Sequence, residues 1–342
     1  MFGTFGTATI PPGSLILVTG ANGYIASHVI NQLLQLRYNV IGTVREEKPW
    51  LDRYFWQLYG KNRYRSVVLS DLGNAKELGQ ALENVAGIIH VASDVSMNAN
   101  PEQVIPQTVR NTLNVLEAAS KQKSVQRVVL TSSTLAAMSA TTSSSRVVID
   151  DDCWNDVAVD MAFDPRTPVE DRSYAVYAAS KAEGERQAWR WVGEHQPQFT
   201  FNTVLPFMNF GKILLPEISG STMNFPRSLL RGDPNALKMG PQWFVNVEDT
   251  ARLHVVALLA PEVKSERIWA CAKPMNWTGI VARLRELRPL NSSIPEPPEN
   301  EGEENSDITG SKRAEGYLKR FFNRSGWATL EESLRDGIMD LA

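Results

Sequence analysis

The sequence predicts an α/β protein built around a doubly wound, mostly parallel sheet. Short apolar segments of strand length recur up to Leu205, and amphipathic segments of helical period separate them. Strands and helices that alternate in this way are typical of a parallel sheet with helices on both faces. Right-handed crossovers then bring the carboxyl ends of the strands to one edge, where such folds bind their ligands.

The individual elements follow from local patterns. Ile25, Val29, Leu33 and Leu36 are spaced by four, four and three residues, so they share one face of a helix. A later helix follows Asp249, which is a plausible N-cap. The predicted strands are 15–18, 38–44, 66–69, 87–91, 125–131 and 201–205, and further helices are predicted at 74–82, 108–119, 174–192 and 250–259.

The composition argues against several classes of protein. The 342 residues include 35 basic and 38 acidic side chains, and this balance gives no electrostatic footprint for nucleic acid or an anionic membrane. Cys153 and Cys271 are the only cysteines, too few for a disulfide framework, which favours a reducing compartment. The chain has neither an apolar stretch of membrane-spanning length nor a signal peptide at its start. We therefore expect a cytoplasmic protein, a monomer or homodimer.

A glycine-rich motif follows the first predicted strand and opens the first helix. Its spacing is G-x-x-G-x-x-A, with Gly20 at the tight turn, Gly23 where the backbone would approach a pyrophosphate, and Ala26 where the helix packs on the sheet. The amino terminus of the helix favours the phosphate charge. The alternative is an ordinary tight turn between strand and helix. The motif predicts a Rossmann-type dinucleotide site at Thr19, Gly20, Asn22, Gly23, Tyr24 and Ile25.

The residue after the second predicted strand indicates which dinucleotide is bound. Sites for NAD usually place a carboxylate there to hold the ribose 2′-hydroxyl, whereas this chain has Val44 followed by Arg45. A guanidinium matches a 2′-phosphate, so the sequence favours NADPH. The alternative is that Arg45 is an ordinary exposed arginine, and the adjacent Glu46 and Glu47 favour this alternative.

Other strand ends complete the predicted cofactor site. Asp71 and Leu72 follow the third strand, where a carboxylate can accept the adenine amino group, although Asp71 can equally cap the helix at 74–82. His90 precedes three small residues at the end of the fourth strand, and we interpret it as a core histidine. The remaining cofactor residues are predicted to be Val91, Ala92, Ser93, Thr131 and Pro206.

Tyr177 and Lys181 form the predicted proton-donating pair. They are four residues apart in a helical pattern, so they share one face, whereas Tyr174 is followed four residues later by Ala178. A nearby ammonium, together with the positive nicotinamide of the oxidised cofactor, favours the phenolate and is expected to lower the tyrosine pKa from about 10. Either hydroxyl of Ser132-Ser133, after the fifth strand, can hold a carbonyl oxygen beside the tyrosine. The spacing is common by chance, and its specificity comes from the order of the motifs.

These motifs resemble the extended short-chain dehydrogenase/reductase family. TGANGYIASHV, TVR, HVAS, VVLTSS, YAASK and VEDTARLH occur in the family's order, and the resemblance covers essentially the whole chain. It is closest to fungal and yeast NADPH-dependent aldehyde and ketone reductases and to plant dihydroflavonol reductases. The resemblance implies that Ser133, rather than Ser132, orients the carbonyl, that Tyr177 protonates it, and that Lys181 tunes Tyr177 and holds the nicotinamide ribose. Asn111 would steady the site or be an ordinary helix residue.

The substrate-binding part is predicted from a looser pattern after Pro206. We expect a Rossmann domain of residues 1–206 and about 240–260, and a smaller, mixed substrate-binding domain of 207–239 and 261–342. A Ser/Thr-rich segment at 136–146 is expected to lie over the active site. Apolar side chains in irregular regions suggest a cleft for an apolar carbonyl compound, with interdomain packing as the alternative. The predicted pocket residues are Asp94, Met97, Leu135, Phe207, Met208, Met223, Phe225 and Trp243.

The sequence therefore predicts an NADPH-dependent carbonyl reductase that acts on a small-molecule aldehyde or ketone, with an apolar or polyketide-like compound as one candidate. No metal site is predicted. Two alternatives stay open. One is an epimerase or dehydratase whose cofactor is reduced and reoxidised within one turnover, and the other is a non-catalytic regulator that binds NADP.

Overall fold

A computed structural model describes residues 8–139 and 146–341. Positions 140–145 of the Ser/Thr-rich segment therefore lie outside the described residues. The strands are β1 Leu15–Val18, β2 Asn39–Val44, β3 Tyr64–Val68, β4 Val85–His90, β5 Arg127–Thr131, β6 Val148–Ile149, β7 Thr200–Pro206, β8 Met208–Phe210, β9 Gln242–Asn246, β10 Arg267–Ala270, β11 Lys273–Met275 and β12 Asp307–Ile308. The helices are α1 Tyr24–Gln35, α2 Pro49–Tyr59, α3 Ala75–Ala81, α4 Pro101–Ser120, α5 Asp156–Phe163, α6 Val169–His195, α7 Asn224–Leu229, α8 Val247–Leu259, α9 Trp277–Leu287, α10 Ser311–Phe322 and α11 Leu330–Gly337.

Seven strands form the large sheet in the order β10-β7-β5-β4-β1-β2-β3, and every neighbouring pair is parallel. The order reverses direction between β1 and β4, which makes that point the crevice where doubly wound sheets bind ligands. The predicted fold class is confirmed. A second sheet, β11-β9-β8, contains one parallel and one antiparallel pair. A third, β12-β6, has only two strands.

The large sheet is buried on both faces, which explains why its strands are continuous apolar runs. In β1, Ile16 and Val18 pack into the cluster formed with α1, α8 and α10, whereas Leu17 packs into the cluster with α3, α4 and α6. Successive side chains of a strand point to opposite faces, so a strand between two helical layers needs apolar residues at every position. No helix of the described part is long and apolar enough to cross a membrane.

The sheets divide the chain differently from the predicted domains. Strand β10, assigned to the smaller domain, pairs with β7 and completes the large sheet, because α8 is the crossover between two parallel strands. Strand β9, assigned to the Rossmann domain, instead lies in the small mixed sheet.

The start of α8 also differs from the prediction. The helix begins at Val247, and the side chain of Asn246 accepts the cap hydrogen bond from the Glu248 amide at 2.8 Å. Asp249 is fully buried, accepts from the Ala328 amide at 2.8 Å and pairs with Arg252. The predicted N-cap role of Asp249 is wrong because tertiary contacts occupy its carboxylate.

Gly42 in β2 lies where the strand passes closest to the glycine-rich loop. A Cβ at this position would lie 2.5 Å from the Tyr64 hydroxyl oxygen and 2.6 Å from the Ala21 Cβ. We expect Gly42→Ala to lower the free energy of unfolding by about 1–3 kcal/mol, because the core would be overpacked. Urea denaturation followed by circular dichroism measures this change.

Gly79→Ala is the matched control, since a Cβ at that position in α3 would meet no described atom within 4 Å apart from the neighbouring residues and the backbone of its own helix. Alanine is the better helix former, so this variant is expected to gain about 0.5–1 kcal/mol. Equal stability changes in the two variants would contradict the proposed crowding at Gly42.

Candidate active site

The glycine-rich loop lies at the carboxyl end of β1, beside the end of β4. Gly20 has a φ of 67° in the left-handed region, and a Cβ there would lie 3.1 Å from the Ala92 Cα. The Gly23 amide donates to the Gly20 carbonyl at 2.8 Å and closes the turn. In the described part of the chain, no side chain caps the start of α1. The first amides of α1 are therefore left to bind an anion.

Thr19 fastens the two central strand ends together. Its hydroxyl oxygen accepts from the amides of Val91 and Ala92, both at 3.0 Å, and lies 2.8 Å from the His90 Nδ1. With two bonds accepted, the hydroxyl proton is free to go to His90. Burial, followed by the charge of Lys181, lowers the His90 pKa to about 3. A neutral, bonded histidine agrees with the interpretation of His90 as a core residue.

The side chain of Tyr24 is hydrogen-bonded to the segment after β8. Its hydroxyl donates to the Gly211 carbonyl at 2.7 Å, and burial raises its pKa. The bond connects the start of α1 with the segment after β8. Asn22 lies in the loop, and Ile25 lies in the first turn of α1. Like Tyr24, these two residues can contact a phosphate through their backbone amides.

Arg45 lies directly after β2, and its side chain is exposed. No ion-pair partner lies within 4 Å of it among residues 8–139 and 146–341, because the neighbouring Glu46 pairs with Lys48 instead. Asp71 is exposed and accepts from the Gly73 amide at 2.7 Å, whereas Asn74 caps α3. The Asn114 amide group donates to the Leu72 carbonyl at 3.4 Å.

A polar cavity of about 40 Å³ lies beneath the strand ends, between β4, β5, α4 and α6. Its wall includes Ser93, Asn111, Ser132 and Lys181. The Ser93 hydroxyl is buried without a hydrogen-bond partner in the described chain, which is costly unless a further group binds there. This orphaned hydroxyl and the glycine cradle both fit a dinucleotide lying across the ends of β1 and β4.

Tyr177 and Lys181 lie one turn apart on α6, as predicted, with the Lys181 Nζ 5.9 Å from the centre of the tyrosine ring. Nζ also donates to the Thr131 carbonyl at 3.4 Å. Desolvation raises the Tyr177 pKa to about 12, which is opposite to the predicted lowering, although the residue is only partly buried. Burial lowers the Lys181 pKa to about 8, and the charge of Glu185 opposes that change.

The two serines after β5 have different partners. The Ser132 hydroxyl donates to the Glu185 carboxylate at 2.7 Å and is thereby engaged within the core. The Ser133 hydroxyl accepts from the Leu135 amide at 3.2 Å and lies 3.5 Å from the Pro206 carbonyl oxygen. That last contact is long for an O–H···O bond, so the Ser133 proton can be redirected to a ligand. The geometry thus favours Ser133 over Ser132 for contact with a carbonyl group.

Sequence reasoning missed the buried ion pair beside this site. Glu185 on α6 and Arg267 on β10 join at 2.9 Å, and both side chains are almost entirely shielded from solvent. The sequence contains two indications of this pair: Glu185 follows Lys181 by one helical turn, and Arg267 is the first residue of an otherwise apolar segment. Neither pattern identifies its partner, because 82 residues separate the two.

The predicted pocket residues fall into separate groups. One apolar cluster, against which Tyr177 packs, contains Leu135, Phe207, Met208 and Trp243. Asp94 and Met97 are exposed in the loop after β4.

Met223 belongs to the same apolar cluster, whereas Phe225 is partly exposed and lies outside it. Met223 is enclosed, since a Cβ on Gly337 would lie 2.3 Å from its sulfur, and it therefore faces α11. Phe225 packs edge-on against Trp277, with ring centres 6.4 Å apart. The pocket roles of these two residues stay predictions that the geometry does not favour.

Comparisons with known proteins agree with this arrangement. Residues 16–272 match the NAD dependent epimerase/dehydratase family. The chain is 43% identical to the ketoreductase nvfG of Aspergillus novofumigatus over 98% of both chains, and 34% identical to aldehyde reductase 2 of Sporidiobolus salmonicolor over 96% of both. The fold matches the yeast methylglyoxal/isovaleraldehyde reductase Gre2 complexed with NADPH, with a TM-score of 0.79, 20% identity, and coverage of 95% of this chain and 97% of that one.

These relatives confirm the predicted resemblance and the predicted assignment to the oxidoreductases. Both curated relatives align over nearly their whole length, so the similarity extends beyond the dinucleotide-binding half. The chain belongs to the NAD-dependent epimerase/dehydratase family, within the extended short-chain dehydrogenases/reductases.

Proposed function

We propose that this protein is an NADPH-dependent carbonyl reductase that acts on an apolar aldehyde or ketone. The observation that carries the proposal is the position of Tyr177 on α6. Its ring centre lies 5.9 Å from the Lys181 Nζ, and the ring packs against the apolar cluster of Leu135, Phe207 and Met208. A proton donor beside an apolar wall suits a carbonyl substrate with a hydrocarbon body. The ketoreductase and aldehyde reductase relatives support the same reaction class.

Binding of the dinucleotide would use the parts already described. The open amides at the start of α1 would bind the pyrophosphate, and the Arg45 guanidinium would bind the 2′-phosphate. The backbone of Val91 and Ala92, together with the unpartnered Ser93 hydroxyl, would face a ribose at the end of β4. When bound, the reduced nicotinamide supplies a hydride to the carbonyl carbon.

The protein's own residues would handle the proton. The Ser133 hydroxyl would donate a hydrogen bond to the carbonyl oxygen, and the Tyr177 hydroxyl would transfer its proton to the same oxygen. A Tyr177 pKa of about 12 keeps the phenol protonated at neutral pH, which suits a donor. The Lys181 ammonium would stabilise the phenolate as it forms.

Tyr177→Phe tests the proton donor. Removal of a positioned general acid is expected to lower kcat for carbonyl reduction by roughly 10²- to 10⁴-fold, while NADPH still binds. Steady-state oxidation of NADPH with a panel of aldehydes and ketones measures the rate, and quenching of tryptophan fluorescence measures cofactor binding.

The control is Tyr174→Phe, which removes a tyrosine hydroxyl one helical turn earlier and is expected to keep turnover. Undiminished NADPH oxidation by Tyr177→Phe would rule out its role as the donor. Product formation without net NADPH consumption would instead favour an internal redox cycle.

Arg45→Ala tests the choice of cofactor. A hydrogen bond to a charged group contributes about 1.5–3 kcal/mol, so the KM for NADPH is expected to rise about 10- to 100-fold. The KM for NADH should stay unchanged, because NADH lacks the 2′-phosphate. Arg53→Ala, which removes an exposed positive charge from α2, is the matched control. An equal loss for both cofactors would contradict 2′-phosphate recognition.

A further inference from the structure

The Glu185 carboxylate is the most heavily bonded buried charge next to the proposed active site. Arg267 donates to it twice, from Nε at 2.9 Å and from Nη2 at 3.1 Å. Ser132 donates at 2.7 Å, Thr203 at 2.8 Å and Trp189 at 3.2 Å. A carboxylate has about four lone-pair positions, so these donors satisfy its hydrogen bonding fully and fix it in place.

Arg267, the partner of Glu185, is also held by contacts of its own. The Arg267 guanidinium lies between two indole rings, 4.3 Å from the centre of Trp154 and 5.4 Å from that of Trp269. It also donates to the carbonyl groups of Asp151 and Cys153, both at 2.9 Å. Pairs of this kind are weak evidence for stability, since desolvation offsets the attraction between the charges. Its contacts with the active site suggest a different role.

Glu185 contacts the proposed catalytic set at two points. It holds the hydroxyl of Ser132, which directly precedes Ser133 at the end of β5. It also follows Lys181 by one turn of α6 and lines the same small cavity. Among the described residues, Tyr177 on α6, the neutral His90 on β4 and Asp94 in the loop after β4 also lie around Lys181, and Arg267 lies behind Glu185. Helix α4 presents uncharged groups to the cavity.

We propose that Glu185 is a positioning residue for the reduction: it fixes the strand end that carries Ser133, and its negative charge keeps Lys181 in the ammonium form. The catalytic part of this inference rests on the proposed function. Glu185 touches neither substrate nor cofactor, and it acts through Ser132 and Lys181.

The effect on Lys181 has a definite sign. Burial holds the pKa of Lys181 at about 8, below its ordinary value, and the charge of Glu185 raises it. The ammonium form is needed to stabilise the Tyr177 phenolate, so reduction should slow as the pH rises through the Lys181 pKa. Loss of the carboxylate charge lowers that pKa further and moves the decline to lower pH, by about 1 pH unit.

The test is the pH profile of kcat at saturating NADPH for two variants. Glu185→Gln alone leaves a buried arginine unpaired, which can prevent folding. The double variant E185Q/R267M removes both charges and leaves a methionine among the indole rings, so it keeps the experiment decisive. In either variant that folds, we expect the alkaline decline to begin at lower pH than in the wild type, by about 1 pH unit in Glu185→Gln and by less in the double variant, because loss of the Arg267 charge partly offsets loss of the Glu185 charge.

Two control variants distinguish an effect of the Glu185 charge from a general loss of structure. Glu183→Gln removes a carboxylate from the same helix that pairs with Arg186 nearer the surface, and it should keep the wild-type profile. Ser132→Ala removes one hydrogen bond but keeps the Glu185 charge, so kcat should fall without a shift along the pH axis. Coincident profiles for the wild type and E185Q/R267M would overturn the proposal, whatever the change in stability.

A direct titration of Lys181 keeps this test independent of the proposed reaction. Proteins labelled with [ε-¹³C]lysine report the ionisation of each lysine by NMR, and Lys181→Met assigns the resonance. We expect the Lys181 resonance of E185Q/R267M to titrate at lower pH than that of the wild type. An unchanged titration would refute the electrostatic role even if no carbonyl compound were turned over.

Discussion

The hydroxyl of Thr19 holds the centre of the site together. It joins the end of β1 to the end of β4 through two backbone amides and the His90 ring, at the point where the sheet order reverses. Gly20 follows immediately in the left-handed region, and a Cβ there would crowd the Ala92 Cα at 3.1 Å. The position of the phosphate loop is thus fixed relative to the end of β4, and the proposed path of the dinucleotide depends on that fixed distance.

Burial, more than the lysine, sets the protonation of the proposed donor. The Lys181 Nζ lies 5.9 Å from the centre of the Tyr177 ring, and desolvation raises the Tyr177 pKa to about 12. Lys181 is itself desolvated, with a pKa of about 8. The phenol therefore stays protonated at neutral pH, and the charge of Lys181 would have to stabilise the phenolate as the proton leaves.

The parts of the molecule that sequence analysis found are those that local patterns encode. The glycine loop, the i, i+4 spacing of Tyr177 and Lys181, and the apolar runs of the central strands each lie within a few residues. Strand β10 was missed because four residues that begin with Arg267 give no alternation. The partner of Glu185, the cap at Asn246 and the direction of the Tyr177 pKa shift depend on which distant side chains surround them, and no local pattern contains that information.

The pairing of Glu185 with Arg267 has a consequence for how the site comes into being. During synthesis, the glycine loop, Tyr177 and Lys181 leave the ribosome well before β10, which supplies the guanidinium. Until that last strand of the large sheet docks beside β7, the Glu185 carboxylate lacks the two hydrogen bonds and the paired charge of Arg267. The mature surroundings of Lys181 therefore form late, and a nascent chain that has already folded its dinucleotide crevice is still an unfinished enzyme.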